Sequence, residues 1–202
     1  MTSPVAPPRR TALILLWGLS TLALMALIWV QVIAPRLNRS VADTLGQGTY
    51  RLAATDGTVF TQETLRGAPS AVFFGFTHCP EVCPTTLGDI AGWQETLGKS
   101  GRQLRVYFVT VDPERDSVEL LGDYVSWVPG VVGVSGTRAE IDKALKAFRI
   151  YSSKVPLDDG GYTMDHSANL LLFDASGRFF EPIGYQEDPV RTEDKLMRLF
   201  AS

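Results

Sequence analysis

Among its 202 residues the chain has only two cysteines and two histidines. All thiol chemistry is therefore confined to Cys79 and Cys83, four positions apart. Basic residues form no stripe or cluster, which argues against nucleic acid as a partner. No internal repeat and no low-complexity segment is present, and the stretch after residue 47 is the right length for one domain. Charge of either sign is missing from 11–35, and Asp43 is the first of the 22 acidic residues. The net charge of −3 includes +2 from Arg9 and Arg10, so the part after the uncharged stretch carries −5.

That uncharged stretch is rich in Leu, Ala, Ile, Val and Trp, and about 20 apolar residues suffice to cross a bilayer core. Trp17 and Trp29 lie near its ends, where amphipathic rings settle. A signal peptide has a shorter apolar core and a small-residue cleavage site, which is not evident here. A buried core helix would show a polar face. Residues 11–35 are expected to be a retained transmembrane anchor, 1–10 a cytoplasmic N-terminus and 36–47 a polar tether. Arg9, Arg10 and the amino terminus precede the span, and Arg36 and Arg39 follow it with Asp43 as a partial offset, which gives a mild lean toward an N-terminus inside. Ten residues before the span leave no room for an organelle presequence, so the expected place is a bacterial inner membrane. The chain would cross it once, with the C-terminal domain in the periplasm.

The cysteines follow an apolar strand at 71–76 and precede a helical pattern in which Leu87, Ile90, Ala91 and Leu97 share a face that Gln94 interrupts. Pro84 suits the first helical position, which puts Cys83 at or beside the N-cap. Unpaired N–H groups and the helix dipole favour a thiolate there. At helical spacing the two Cα atoms would be about 6.2 Å apart, so a disulfide would need local unwinding and would be readily reduced. Two thiolates at this spacing also converge on one soft ion, copper(I) above all.

Elsewhere strands and helices alternate. Thr55-Asp56-Gly57 marks a hairpin between 49–53 and 58–61. A second apolar strand is expected at 104–111. A helical stripe follows through Val118, Leu121, Val125 and Val128, capped by Asp116 or Ser117. After a short strand at 131–134, Thr137 and Glu140 read as a capping box before Ile141, Ala144, Leu145 and Phe148. Residues 151–163 read as a polar excursion. A hairpin at 168–183 turns on Asp174-Ala175-Ser176-Gly177, and Asp188-Pro189 starts a last helix. This is an α/β chain with a mixed sheet covered on both faces. With a cysteine pair after the first core strand, the expectation is a thioredoxin-like fold with an N-terminal hairpin over 48–202, preceded by one transmembrane helix.

Phe74-Gly75-Phe76-Thr77-His78-Cys79-Pro80-Glu81-Val82-Cys83-Pro84 resembles the cysteine motif of the Sco (SenC) proteins. Val109-Thr110-Val111-Asp112-Pro113-Glu114-Arg115-Asp116, Gly136-Thr137 and Asp165-His166-Ser167-Ala168 are similar to further motifs of that family, in the same order. The resemblance implies a membrane-anchored copper metallochaperone that helps assemble the dinuclear copper site of cytochrome c oxidase. It implies subunit II of that oxidase as a partner, and a periplasmic copper donor as another. By matching position, the copper ligands for Cu(I) or Cu(II) would be Cys79, Cys83 and His166. Asp165 could orient the imidazole from behind, or cap a turn. Family members are also described as thiol–disulfide reductases or redox sensors, in which Cys79 and Cys83 would be the redox-active thiols.

Bottom-up, two sulfurs and one nitrogen suit an ion meant to be passed on, whereas structural zinc normally takes four protein ligands. His166 lies more than eighty residues from the cysteines, and its residue type alone fits a histidine at a strand start equally well. His78 reads as a loop residue, because adjacent side chains rarely converge on one ion. The run 112–116 reads as a capped turn, with a docking surface as the alternative. The rival function is metal-free disulfide exchange. Thioredoxin-type enzymes separate their cysteines by two residues and face them with a proline; here three intervene, and no proline directly precedes the late strand.

Overall fold

The computed structural model describes residues 9–33, 40–158 and 160–202. It divides into two compact units at Ser40/Val41. In the first, helix α1 (Arg9–Ile28) continues through one π-helical segment, Trp29–Ile33. Its stretch Leu13–Gln31 is long and apolar enough to cross a membrane, and its side chains are exposed. The expected tether at 36–47 falls partly outside the described residues. Val41–Thr44 form a helical turn, α2, and Leu45 is buried in the second unit.

That second unit is built on a seven-stranded mixed sheet in the order β2-β1-β5-β4-β3-β8-β9. Its strands are β1 (Leu52–Ala54), β2 (Val59–Phe60), β3 (Ser70–Gly75), β4 (Arg105–Thr110), β5 (Val131–Ser135), β8 (Leu170–Phe173) and β9 (Phe179–Ile183). Strands β3, β4 and β5 run parallel, while β8 pairs antiparallel with both β3 and β9. A parallel pair needs a crossover, and helices α3 (Val82–Gly98) and α4 (Val118–Val125) supply them. Helices α5 (Arg138–Phe148) and α6 (Pro189–Leu199) complete the cover.

Side-chain alternation divides the core in two. Ala71, Phe73, Val106, Phe108 and Leu172 pack with Leu87 and Ile90 of α3, Leu121 of α4 and Leu196 of α6. Val72, Phe74, Tyr107, Val109 and Phe173 pack on the other face with Ile141, Ala144 and Phe148 of α5. Phe148 sits at the centre of an aromatic group, 5.2 Å from Phe74, 5.6 Å from Tyr50 and 5.8 Å from Phe173 between ring centroids. Because β3 is buried on both faces, it reads as a continuous apolar run. The thioredoxin-like fold expected from the strand and helix order is the fold observed.

Local chemistry explains most boundaries. Ser117 caps α4 through Leu120 N at 3.2 Å, and Asp188 caps α6 through Arg191 N at 3.1 Å. Thr137 caps α5, but the capping box is half made: Glu140 accepts from Arg51 N at 2.8 Å instead. Gln94 does not break the helix face as its polarity suggests. It is buried, and its amide bonds both backbone groups of Leu104, at 2.6 and 3.1 Å. The excursion read at 151–163 is corrected to an antiparallel ribbon, β6 (Ser152–Pro156) and β7 (Tyr162–His166), which forms a sheet of its own.

Candidate metal centre

The site begins at the C-terminal end of β3. Gly75 ends that strand, and a Cβ built there would lie 2.7 Å from Cys83 Sγ and 2.8 Å from Phe108 Cζ. Only glycine lets the cysteine pack this close to the sheet. After a turn closed by Cys79 N on Phe76 O at 3.2 Å, α3 starts at Val82. Cys83 is therefore its second residue and Pro84 its third, two positions deeper than the proline signal suggests. A proline at the third position still removes only an N–H that lacks an intrahelical partner.

The burial of the two sulfurs differs. Cys83 is fully buried against the core, while Cys79 is half-buried in the loop. The free N–H of Cys83 points at Cys79 Sγ, 3.4 Å away. The low thiol is accordingly Cys79, where the position of Cys83 at the helix start pointed to Cys83. A hydrogen bond from the Cys83 thiol, joined by His166 and the N–H groups of Cys83 and Glu81, outweighs burial and brings Cys79 down to about 4. The same hydrogen bond, together with burial, pushes Cys83 up. At neutral pH one proton is held on Cys83 and the negative charge sits on Cys79.

His166 ends β7 and brings its ring beside these sulfurs. Its Nδ1 lies 3.0 Å from Ser167 O, and a carbonyl only accepts, so Nδ1 carries a hydrogen and Nε2 is the ring nitrogen left for Cys79 or a metal ion. The ring meets Phe76 edge-on, with centroids 5.8 Å apart. Ligand atoms of Cys79, Cys83 and His166 all fall within 4.8 Å of one another, the one such convergence of His, Cys, Asp and Glu among the described residues. A shallow cavity of about 160 Å³, lined by Phe76, Cys79, Pro80, Val82 and His166 among others, opens beside them.

Two sequence expectations change here. Asp165 does not hold the imidazole: it is exposed, strand alternation turns it to the opposite side of β7 from His166, and the Ser167 carbonyl takes that role. The run 112–116 is a turn, as its capping residues suggest, yet its two aspartates are buried, and only Glu114 is displayed, paired with Arg138. Asp116 accepts from Thr77 N (3.1 Å), Thr77 Oγ1 (2.6 Å) and Thr110 Oγ1 (2.6 Å), which fastens the cysteine loop. Asp112 accepts from Arg115 Nε and, at 2.9 Å, from Tyr162 OH at the start of β7. The signal for these supports was two acids bracketing a proline at the end of a buried strand, since buried carboxylates must be paired. His78 stays out of the convergence, exposed and 3.0 Å from Thr77 Oγ1.

Comparison with known proteins agrees with this architecture. Mitochondrial SCO1 of Saccharomyces cerevisiae is 36% identical over 154 residues, covering 74% of this chain and 52% of its own length. The chain thus spans about half the length of that curated relative. The SCO2-like protein of Rickettsia prowazekii is 34% identical over 137 residues, 66% of this chain and 67% of that one. Among solved structures, Bradyrhizobium japonicum ScoI with copper bound shares 39% identity at a TM-score of 0.67, covering 76% of this chain and 99% of that one. Residues 39–201 match the family described as SCO1/SenC, and the chain belongs to that family.

Proposed function

We propose that the chain is a membrane-anchored copper metallochaperone that holds copper through Cys79, Cys83 and His166 and helps assemble the dinuclear copper site of cytochrome c oxidase. The observation that carries this reading is the convergence of two sulfurs and one imidazole nitrogen within 4.8 Å. Thiolates select copper(I), and imidazole accommodates copper(II) as well. Cys79 is already a thiolate, so one ligand is prepared without loss of a proton. Cys83 must give up its proton on metal binding, so affinity rises with pH. His166 offers Nε2, because Ser167 fixes the hydrogen on Nδ1. Three donors, two of them (Cys79 and His166) lining an open cavity, leave the ion accessible to a second set of ligands.

The assembly role rests on family membership. Subunit II of the oxidase is the acceptor in this reading, and a periplasmic copper donor would load the site. The apolar helix at Leu13–Gln31 would keep the domain at the periplasmic face of a bacterial inner membrane. Residues 48–202 would be the copper-binding domain.

A low thiol beside a second one also fits thiol–disulfide exchange. There the Cys79 thiolate would attack a partner disulfide, and Cys83 would then displace the reduced partner, leaving this chain oxidised by two electrons. Copper uptake separates the two. The reduced chain, given excess copper(I) and then desalted, should retain one ion, and Cys79→Ser or Cys83→Ser should abolish retention. Equal retention by the serine variants would overturn the metallochaperone reading.

A further inference from the structure

We infer that Arg115 is a positioning residue that clamps the β6–β7 ribbon so that His166 stays over the cysteines, an inference that rests on the copper reading above. The ribbon needs such a device because no strand of the seven-stranded sheet pairs with it. His166 sits on its last residue, so any swing of the ribbon moves the imidazole while Cys79 and Cys83 stay with β3 and α3.

Arg115 meets the ribbon at Tyr162. The Cζ lies 3.9 Å from the Tyr162 ring centroid, and one terminal N–H reaches Tyr162 O at 3.0 Å. Its Nε bonds Asp112, whose other oxygen accepts from the same tyrosine's hydroxyl at 2.9 Å. On the far side the guanidinium is 5.8 Å from the Phe76 ring, which itself meets His166 edge-on. Arg115 thus stands between the start of β7 and the aromatic wall behind the imidazole. A cation–π contact with the Tyr162 ring thus accompanies the two directed N–H bonds. Lysine cannot reproduce that ring contact together with two directed N–H bonds.

The test uses the full chain in detergent micelles and reads amide hydrogen exchange without metal, then the copper(II) absorption and paramagnetic signals. With Arg115→Ala, ladder amides of the ribbon such as Val155 and Thr163 should exchange about 10- to 100-fold faster, and β3–β4 amides should not change. The copper(II) signals should be lost or altered, while copper(I) remains bound by the two thiolates. Arg115→Lys should fall between wild type and alanine. Tyr162→Phe, which keeps the ring, should perturb exchange less than Tyr162→Leu. Unchanged ribbon exchange in Arg115→Ala would overturn the clamp, as would equal acceleration in β3–β4, which would mark a merely structural residue. Were the wild type to give no copper(II) signal, the copper reading would fail, and ribbon exchange would still decide the role of Arg115.

Discussion

Replacing Asp116 tests whether the cysteine loop is fastened from behind. This side chain has no exposed surface and takes three hydrogen bonds, from Thr77 N at 3.1 Å and from Thr77 Oγ1 and Thr110 Oγ1 at 2.6 Å each. Asp116→Ala removes the acceptor from all three donors at once. A hydrogen bond to a charged acceptor contributes about 1.5–3 kcal/mol, but bonds that share one carboxylate are not additive. Water can also reach the loop side of the vacated space. The expected loss is about 3–5 kcal/mol. Asp116→Asn keeps the volume and one acceptor oxygen, and its NH₂ would face Thr77 Oγ1, whose hydroxyl can turn to accept. That change should cost about 1 kcal/mol. In urea unfolding of a chain beginning at Ser40, with a slope of about 2 kcal/mol per molar, the midpoint should drop by about 1.5–2.5 M for alanine and about 0.5 M for asparagine. Equal shifts for the two variants, or a negligible one for alanine, would refute the argument.

Three further outcomes are expected. Gly75→Ala forces a Cβ to within 2.7 Å of Cys83 Sγ, so it should cost about 1–3 kcal/mol in urea unfolding and weaken copper uptake together; uptake at the wild-type level would contradict the close packing. Cys79, lowered to about 4, is a thiolate above that value. Its alkylation by iodoacetamide, followed by mapping of the labelled cysteine, should therefore hold steady from neutral pH downward and fall only as pH drops through about 4. A tenfold loss per unit from pH 8 would show an ordinary thiol. The full chain should stay in the membrane pellet through carbonate extraction because of Leu13–Gln31, whereas recovery in the soluble fraction would remove the anchor.

The sequence carried the fold where periodicity and turn chemistry agree. The buried run of β3, the caps at Ser117, Thr137 and Asp188, and the Asp174–Gly177 turn could all be read from residue types alone. The ribbon at 152–166 could not, because β6 has no buried residue to set a period of two. Gln94 misled for a different reason. A polar side chain on a buried face satisfies itself on backbone groups ten residues away, which local pattern does not encode. Within the site, the cysteine loop was legible from its strand and prolines, whereas the approach of His166 depends on the ribbon's place in three dimensions. Asp112 and Asp116 looked like turn residues because their partners, Tyr162 and Thr77, lie 50 and 39 positions away.

Copper(II) absorption and electron paramagnetic resonance of wild type, His166→Ala and His78→Ala test the ligand set most directly. The three-donor site predicts that His166→Ala disrupts the sulfur-to-copper charge-transfer band and the paramagnetic spectrum, with copper(I) binding only partly weakened. His78→Ala should leave both signals intact, since its ring stays with Thr77. Loss of the signals in His78→Ala with their survival in His166→Ala would contradict the account.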